Sequence, residues 1–203
     1  MRWLSFLLVL TFSLQAQSAR LLILGDSLSA GYQMSANQAW PSLLPQALQK
    51  YNHPMTVINA SISGDTTGNG LARLPKLLQQ HTPDYVLIEL GANDGLRGFS
   101  PQIPERNLAR IIDLIAQSGA RPILMQIRIP PNYGQRYSKA FSTIYSKLSE
   151  QKQIPLIPFF LEQVILRPEW MKSDGLHPNE HAQSWIAAWI AQQLTPLLEP
   201  TPS

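Results

Sequence analysis

Five short apolar runs, separated by stretches with helical spacing, constrain this chain more than any other feature. They are Leu21 to Leu24, Thr56 to Ala60, Tyr85 to Leu90, Pro122 to Ile127, and Pro155 to Phe159. Each is too short and too continuous for an amphipathic helix, and each reads as a strand buried on both faces. Between them Trp40, Leu43, Leu44, Ala47 and Leu48 share one helix face, and Leu71, Leu74, Leu77 and Leu78 share another. Further stripes run through Leu108, Ile111, Ile112 and Ile115, through Phe141, Ile144, Tyr145 and Leu148, and through Trp185, Ile186, Trp189 and Ile190. These stripes are core faces rather than cofactor-binding boxes. Pro75 must bend the second helix or sit in an early turn, and Gly119 is placed to end the third. Strands alternating with helices require right-handed crossovers onto a parallel sheet covered on both sides. The expected fold is a single three-layer α/β/α sandwich.

The bulk numbers are consistent with one folded domain. A chain of 203 residues, 44% hydrophobic and 14% charged, has enough apolar material for a sizeable core. Its formal charge of +3 is not gathered into a basic run, so no nucleic-acid partner is expected. Arg2, the apolar stretch from Leu4 to Leu14 and the small residues Ala16 to Ala19 have the layout of a secretory signal peptide. That apolar stretch is shorter than the about 20 residues a membrane span needs, so no stable anchor is expected. Residues 1–19 are read as the leader, with cleavage after Ser18 or Ala19, residues 20–194 as the domain and residues 195–203 as a flexible tail. The chain is expected in the periplasm or outside the cell, as a monomer. With no cysteine in the sequence, an exported chain must rely on its core rather than on disulfides.

Four polar segments fall at expected strand ends, in the order Gly25-Asp26-Ser27-Leu28, Ser63-Gly64-Asp65, Gly91-Ala92-Asn93-Asp94 and Asp174-Gly175-Leu176-His177. Open α/β sheets bind their ligands outside the carboxyl ends of the strands. A serine hydroxyl becomes a nucleophile only when a base removes its proton. His177 is the candidate base for Ser27, because Asp174 lies three residues earlier in the same short loop and can fix the imidazole tautomer. Asn179 follows as a candidate N-cap of the last helix. His53, His81 and His181 have no such acidic partner and read as surface residues. A tetrahedral oxyanion needs preorganised donors, and the Ser27 amide, the Gly64 amide and the Asn93 side chain can supply three. Asn93-Asp94-Gly95 and Ser63-Gly64-Asp65 could each be an ordinary turn or helix entry alone. Both falling after adjacent strands favours the oxyanion reading.

The four segments resemble the blocks of the GDSL, or SGNH, hydrolase family, and the similarity runs from about Leu21 to Leu194. It includes the flanks Ser29-Ala30-Gly31-Tyr32 and Asn59-Ala60-Ser61-Ile62. The resemblance implies a flavodoxin-like fold with five parallel strands ordered 2-1-3-4-5. It implies Ser27 as nucleophile, Asp174 and His177 as its triad partners, and Gly64 and Asn93 as oxyanion donors. Ala92 stands where similar members often carry a second glycine, which would narrow the cleft beside Asn93. The implied activity is hydrolysis of acyl esters and thioesters: acyl-CoA, lysophospholipids and aryl esters. Gly95, Leu96, Arg97, Gly98 and Phe99 would then form a mobile loop beside the oxyanion site, with Leu96 and Phe99 against the acyl chain. No cofactor is expected, since the acidic and histidine residues lack metal-ligand spacing and there is no phosphate-binding glycine loop. Two other readings stay open: a carbohydrate acetyl esterase of the same fold, and a non-catalytic acyl-binding module.

Overall fold

The computed structural model describes residues 18–198. Its sheet has five parallel strands in the order 2-1-3-4-5: β1 (Ala19–Gly25), β2 (Met55–Asn59), β3 (Tyr85–Glu89), β4 (Arg121–Met125) and β5 (Leu156–Ile157). The eight α-helical segments among the described residues are α1 (Ser27–Ala30), α2 (Trp40–Gln49), α3 (Thr67–His81), α4 (Ala92–Leu96), α5 (Gln102–Gln117), α6 (Gln135–Lys152), α7 (Leu161–Val164) and α8 (Gln183–Leu194). Helices α2 and α8 pack together on one face of the sheet, while α3 packs on α5 and α5 on α6 over the other. Central strands must be apolar on both faces, and β3 is buried along its whole length while Leu21 to Leu24 of β1 have no exposed surface.

Four expectations shift in detail. The fifth strand is only two residues long, because Pro155 and Pro158 flank it and neither has an N–H to donate to the ladder; Phe159 and Phe160 turn into the core instead. Pro75 lies well inside α3 rather than in its first turn, which leaves the Leu71 carbonyl without its helical donor. On α8, Ile186 and Ile190 are fully buried, whereas Trp185 and Trp189 are half-buried and stack on each other at 6.2 Å. The flexible tail does not start at Thr195: Thr195–Leu197 make a 3-10 turn and Leu198 is buried. Most of the expected leader lies outside the described residues, but Ala19 already opens β1. Gly119, at φ +86° just past α5, ends that helix as the sequence suggests.

The strand order places the chemistry. The chain crosses from β1 outward to β2, then back over β1 to β3, so the connections leaving β1 and β3 diverge. That reversal opens a crevice at the carboxyl ends of the two strands. Ser27 lies just beyond β1 and Asn93 just beyond β3.

Candidate active site

Strand β1 ends in a tight turn rather than a loop. Asp26 caps the four-residue α1, its Oδ1 accepting the Leu28 N–H at 3.1 Å, and Gly31 closes the turn at φ +78°. The Trp40 indole N–H donates to the Leu28 carbonyl at 3.0 Å and ties this turn to α2. Ser27 is thereby held at the first position of α1, with its hydroxyl facing the crevice.

The loop that carries His177 is braced as firmly. Met171 and Pro178 form an antiparallel bridge, and the Lys172 N–H donates to the His177 carbonyl at 2.8 Å. Asp174 Oδ1 accepts the N–H groups of Leu176 and His177 at 2.9 and 3.0 Å, which leaves Oδ2 for His177 Nδ1 at 2.7 Å. His177 Nε2 lies 2.9 Å from Ser27 Oγ. Partial burial works to raise the Asp174 carboxyl, but the hydrogen bonds from Leu176 and His177 and the imidazole bring it down to about 2. A carboxylate that accepts Nδ1–H leaves Nε2 with a lone pair aimed at the serine proton. Asn179 caps the 3-10 turn Glu180–Ala182 that leads into α8, its Oδ1 accepting the His181 N–H at 3.0 Å. The three residues read from sequence form one continuous line.

On the oxyanion side the picture is more particular. Neither the Ser27 nor the Gly64 N–H donates a hydrogen bond among the described residues, so both are available to a ligand. Gly64 sits at φ +84°, and an added Cβ would meet nothing closer than 4.0 Å. Its glycine is needed for the left-handed backbone rather than for clearance. The Asn93 amide is already engaged: Nδ2 donates to Asp26 Oδ2 at 3.2 Å and to the Asp65 carbonyl at 3.0 Å. Ahead of it, Gly91 has φ +123° and touches α6 so closely that a Cβ would lie 2.0 Å from Tyr145 Oη.

The segment expected to be a mobile, acyl-gripping loop is built differently. Gly95 and Leu96 belong to α4, and Gly95 is buried where a Cβ would lie 2.2 Å from Ile129 Cγ2. Arg97 donates to the Gly64 carbonyl at 3.0 Å, which orients the neighbouring peptide. Gly98 is a turn residue at φ +70°, and the Phe99 carbonyl accepts the Tyr137 hydroxyl at 2.7 Å. Of the five residues only Leu96 lines the cavity; Gly95, Arg97, Gly98 and Phe99 do not. Gly95 packs α4 against Ile129 and Phe141, so it does not stand at the end of a loop.

That cavity holds about 540 Å³, within the usual range of ligand pockets. Ser27, Gly64, Asn93 and His177 form its polar end, while Leu28, Leu96, Ile129, Phe159, Leu161 and Ile165 supply apolar wall. Ala92 lines it beside Asn93. Arg128 and Glu162 also line it and pair at 2.8 Å, both well exposed, so the pair contributes little to stability. Among the described residues no cluster of three or more His, Cys, Asp or Glu is arranged to hold a metal ion.

Several residues of the site escaped sequence reasoning. Tyr32 stacks on the His177 ring at 4.1 Å and covers it. Arg73 of α3 pairs with Asp65 at 2.7 Å and also donates to the carbonyls of Ala60 and Gly25, joining the ends of β1 and β2. Asp94 is buried and accepts both the N–H and the hydroxyl of Thr67 at the start of α3. Beneath Ser27, Glu89 is fully buried, with Oε2 accepting the Ser29 hydroxyl at 2.6 Å and the Asp26 N–H at 3.4 Å. An acid inside an otherwise apolar strand was the visible signal for Glu89.

The two buried acids carry a consequence for stability. Burial raises the Asp26 carboxyl to about 7, against hydrogen bonds from Leu28 and Asn93 and helped by the charges of Asp65 and Asp94. Burial, and then the charge of Asp26, raise Glu89 well above its usual range. The folded state therefore keeps protons that the unfolded chain releases, near the ordinary aspartate value of 3.8 for Asp26. Stability from this source is fully present below that value and falls as pH rises toward about 7. The expected result is a urea midpoint that is lower at pH 8 than at pH 5. In Glu89→Gln, which keeps the shape but has no proton to lose, the drop is smaller. Equal drops in the two proteins would show that Glu89 does not titrate with folding.

Comparison with known proteins agrees with this geometry. Residues 23–185 match the GDSL-like Lipase/Acylhydrolase family. An arylesterase of Vibrio mimicus is 64% identical over 190 residues, covering 92% of this chain and 95% of its own. The thioesterase 1/protease 1/lysophospholipase L1 of Escherichia coli K12 is 57% identical over 193 residues, covering 95% of this chain and 91% of its own. Among solved structures, the psychrotrophic esterase EstA of Pseudoalteromonas sp., inhibited by monoethylphosphonate, superposes with a TM-score of 0.85 at 41% identity. That match covers 88% of this chain and 97% of EstA. The chain belongs to the GDSL-like lipase/acylhydrolase family and is an ester hydrolase.

Proposed function

We propose that the chain hydrolyses acyl esters and thioesters by transferring the acyl group to Ser27. The observation that carries this reading is the line Asp174–His177–Ser27, at 2.7 and 2.9 Å, opening on a mostly apolar cavity. Ser27 Oγ attacks the carbonyl carbon while its proton passes to His177 Nε2. The C=O electron pair moves onto oxygen, which is stabilised by the Ser27 and Gly64 N–H groups and by Asn93 Nδ2. For Asn93 to donate, its longer bond to Asp26, at 3.2 Å, is the one to yield. The carbonyl re-forms, the alcohol or thiol leaves with the proton from His177, and an acyl-enzyme remains. Water then attacks through the same base, releasing the carboxylic acid and free Ser27. No step calls for a cofactor.

The wall from Leu96 to Ile165 favours an acyl chain over a sugar, which sets acyl-CoA, lysophospholipid and aryl ester substrates ahead of a carbohydrate acetate. The names of the relatives, arylesterase and thioesterase/lysophospholipase, point the same way. Each methylene buried in the cavity contributes up to ~0.8 kcal/mol, or about fourfold in kcat/KM, until the wall is covered. The test is a series of aryl esters and acyl-CoA thioesters of increasing chain length, run with and without Leu96→Ala. Rates should climb with length in the parent and climb less in the variant. A flat series, or a sugar acetate outrunning every aliphatic ester, would overturn the substrate assignment. Loss of turnover with a phosphonate adduct on Ser27 would exclude the non-catalytic module. The same reading has residues 1–19 removed on export to the periplasm or beyond, and the product acting as a monomer. N-terminal sequencing and sedimentation of the exported protein test both points.

A further inference from the structure

The apolar side chains left in solvent are not spread evenly over the molecule. Seven large ones are exposed among the described residues. Six of them, Ile62, Ile103, Tyr133, Ile165, Leu166 and Leu176, lie on segments that leave the carboxyl ends of the strands, where the cavity opens. Ile165 and Leu176 line the cavity itself, and Leu166 beside them is 72% exposed. Only Tyr51 lies at the opposite edge, whose turns are otherwise polar: Lys50, Asn52 and His53 before β2, His81 and Asp84 before β3, Lys152 and Gln153 before β5. Singly scattered apolar residues need no explanation, but a one-sided set around a cavity mouth does.

The charges at this edge have a sign. Two of its acids, Asp65 and Glu162, are paired with Arg73 and Arg128, and Asp174 accepts the His177 imidazole N–H. Asp26, Glu89 and Asp94 are buried beneath the surface. What remains facing solvent is Arg97, Arg136 and Arg167, with the partly exposed Lys172, against Glu169, Glu180 and Asp174, a small positive excess. Arg167 follows Leu166 directly and is held over the Trp170 ring at 4.1 Å, so a cation stands beside the most exposed leucine. Apolar side chains set among cations are the pattern of a surface that enters the boundary of an anionic lipid layer.

We propose that this rim docks on lipid aggregates bearing anionic phospholipid headgroups, and that the cavity draws its acyl chain directly from that surface. The proposal rests on the acyl-hydrolase reading for its substrate, but docking itself requires no turnover. Ile62 and Leu166 would enter the headgroup boundary on opposite sides of the mouth. Arg97, Arg136 and Arg167 would meet phosphates. The substrate's chain would then pass from lipid to the Leu96–Ile165 wall without crossing water.

The experiment is vesicle flotation with the chain starting at Ser18, which keeps the whole sheet and core and removes the apolar leader. Phosphatidylcholine vesicles are compared with vesicles containing phosphatidylglycerol, using both the parent and Ser27→Ala, so that binding is read apart from hydrolysis. Both proteins should bind the anionic vesicles more strongly, and binding should weaken with added salt. Leu166→Asp combined with Ile62→Asp should lower the bound fraction by about tenfold or more. It should leave kcat/KM on a water-soluble short-chain aryl ester within about twofold, since neither residue lines the cavity. No binding by the parent, or binding unchanged in the double variant, would overturn the proposal. So would a concentration-dependent dimer that Leu166→Asp dissolves, because the face would then belong to a second copy. A chain that floats with vesicles yet hydrolyses no ester would leave docking standing and refute the substrate reading instead.

Discussion

Replacing Ser27 by alanine should lower ester hydrolysis by about 10⁶-fold, the scale expected when the nucleophile of a serine triad is removed. His177→Ala should cost nearly as much, because among the described residues the hydroxyl has one side-chain partner, His177 Nε2 at 2.9 Å, and no other base beside it. Asp174→Ala should cost less, since Lys172 and the Met171–Pro178 bridge still hold the loop. The informative protein is Ser27→Ala/His177→Ala, which should be hardly worse than either single variant. Two residues that serve one proton transfer cannot each be lost at full cost. If the losses multiplied, the two groups would be acting in separate steps. The melting temperature of Ser27→Ala should stay near the parent's, because the hydroxyl makes no bond to the core. The pH profile adds a check. Asp174, held at about 2, stays ionised well below neutral pH, so its protonation cannot account for any activity lost between pH 7 and pH 4. In the proposed mechanism His177 must be neutral to take the serine proton.

The parts legible in the sequence were those whose signal is local. Leu21 to Leu24 and Tyr85 to Leu90 read as buried strands because burial on both faces removes the alternation of a half-exposed one; Thr56 to Ala60 read the same way, but β2 is an edge strand and carries exposed Thr56 and Asn59. The Asp174–His177 pair was legible because both residues sit in one turn, where their spacing nearly determines their contact. What was missed is long-range. Arg73 reaches Asp65, Ala60 and Gly25 only after the crossover brings α3 over the ends of β1 and β2. Tyr32 meets His177 across 145 positions, and nothing near Tyr32 announces a stacking partner. Gly95 was misread for the same reason. Its neighbours Ile129 and Phe141 arrive from distant segments, so a glycine required for close packing looked like a hinge.

Asn93→Ala should lower kcat by about 10²–10³-fold with little change in KM, the signature of a donor used mainly in the transition state. Two hydrogen bonds make the result diagnostic. In the resting structure Asn93 Nδ2 serves Asp26 Oδ2 at 3.2 Å and the Asp65 carbonyl at 3.0 Å. A residue whose work was only to clamp the loops after β1 and β2 would show its loss in stability, and alanine would lower the melting temperature while affecting every substrate step. An oxyanion donor shows its loss in kcat. The longer of the two bonds, to Asp26 at 3.2 Å, is the one that would yield to an oxyanion, while the bond to the Asp65 carbonyl is kept. The retained Asp65 contact fixes the position of the amide in advance, so little reorganisation is left for the moment of reaction. A fall in melting temperature with kcat nearly intact would make Asn93 a clamp and leave the oxyanion to the two backbone donors at Ser27 and Gly64.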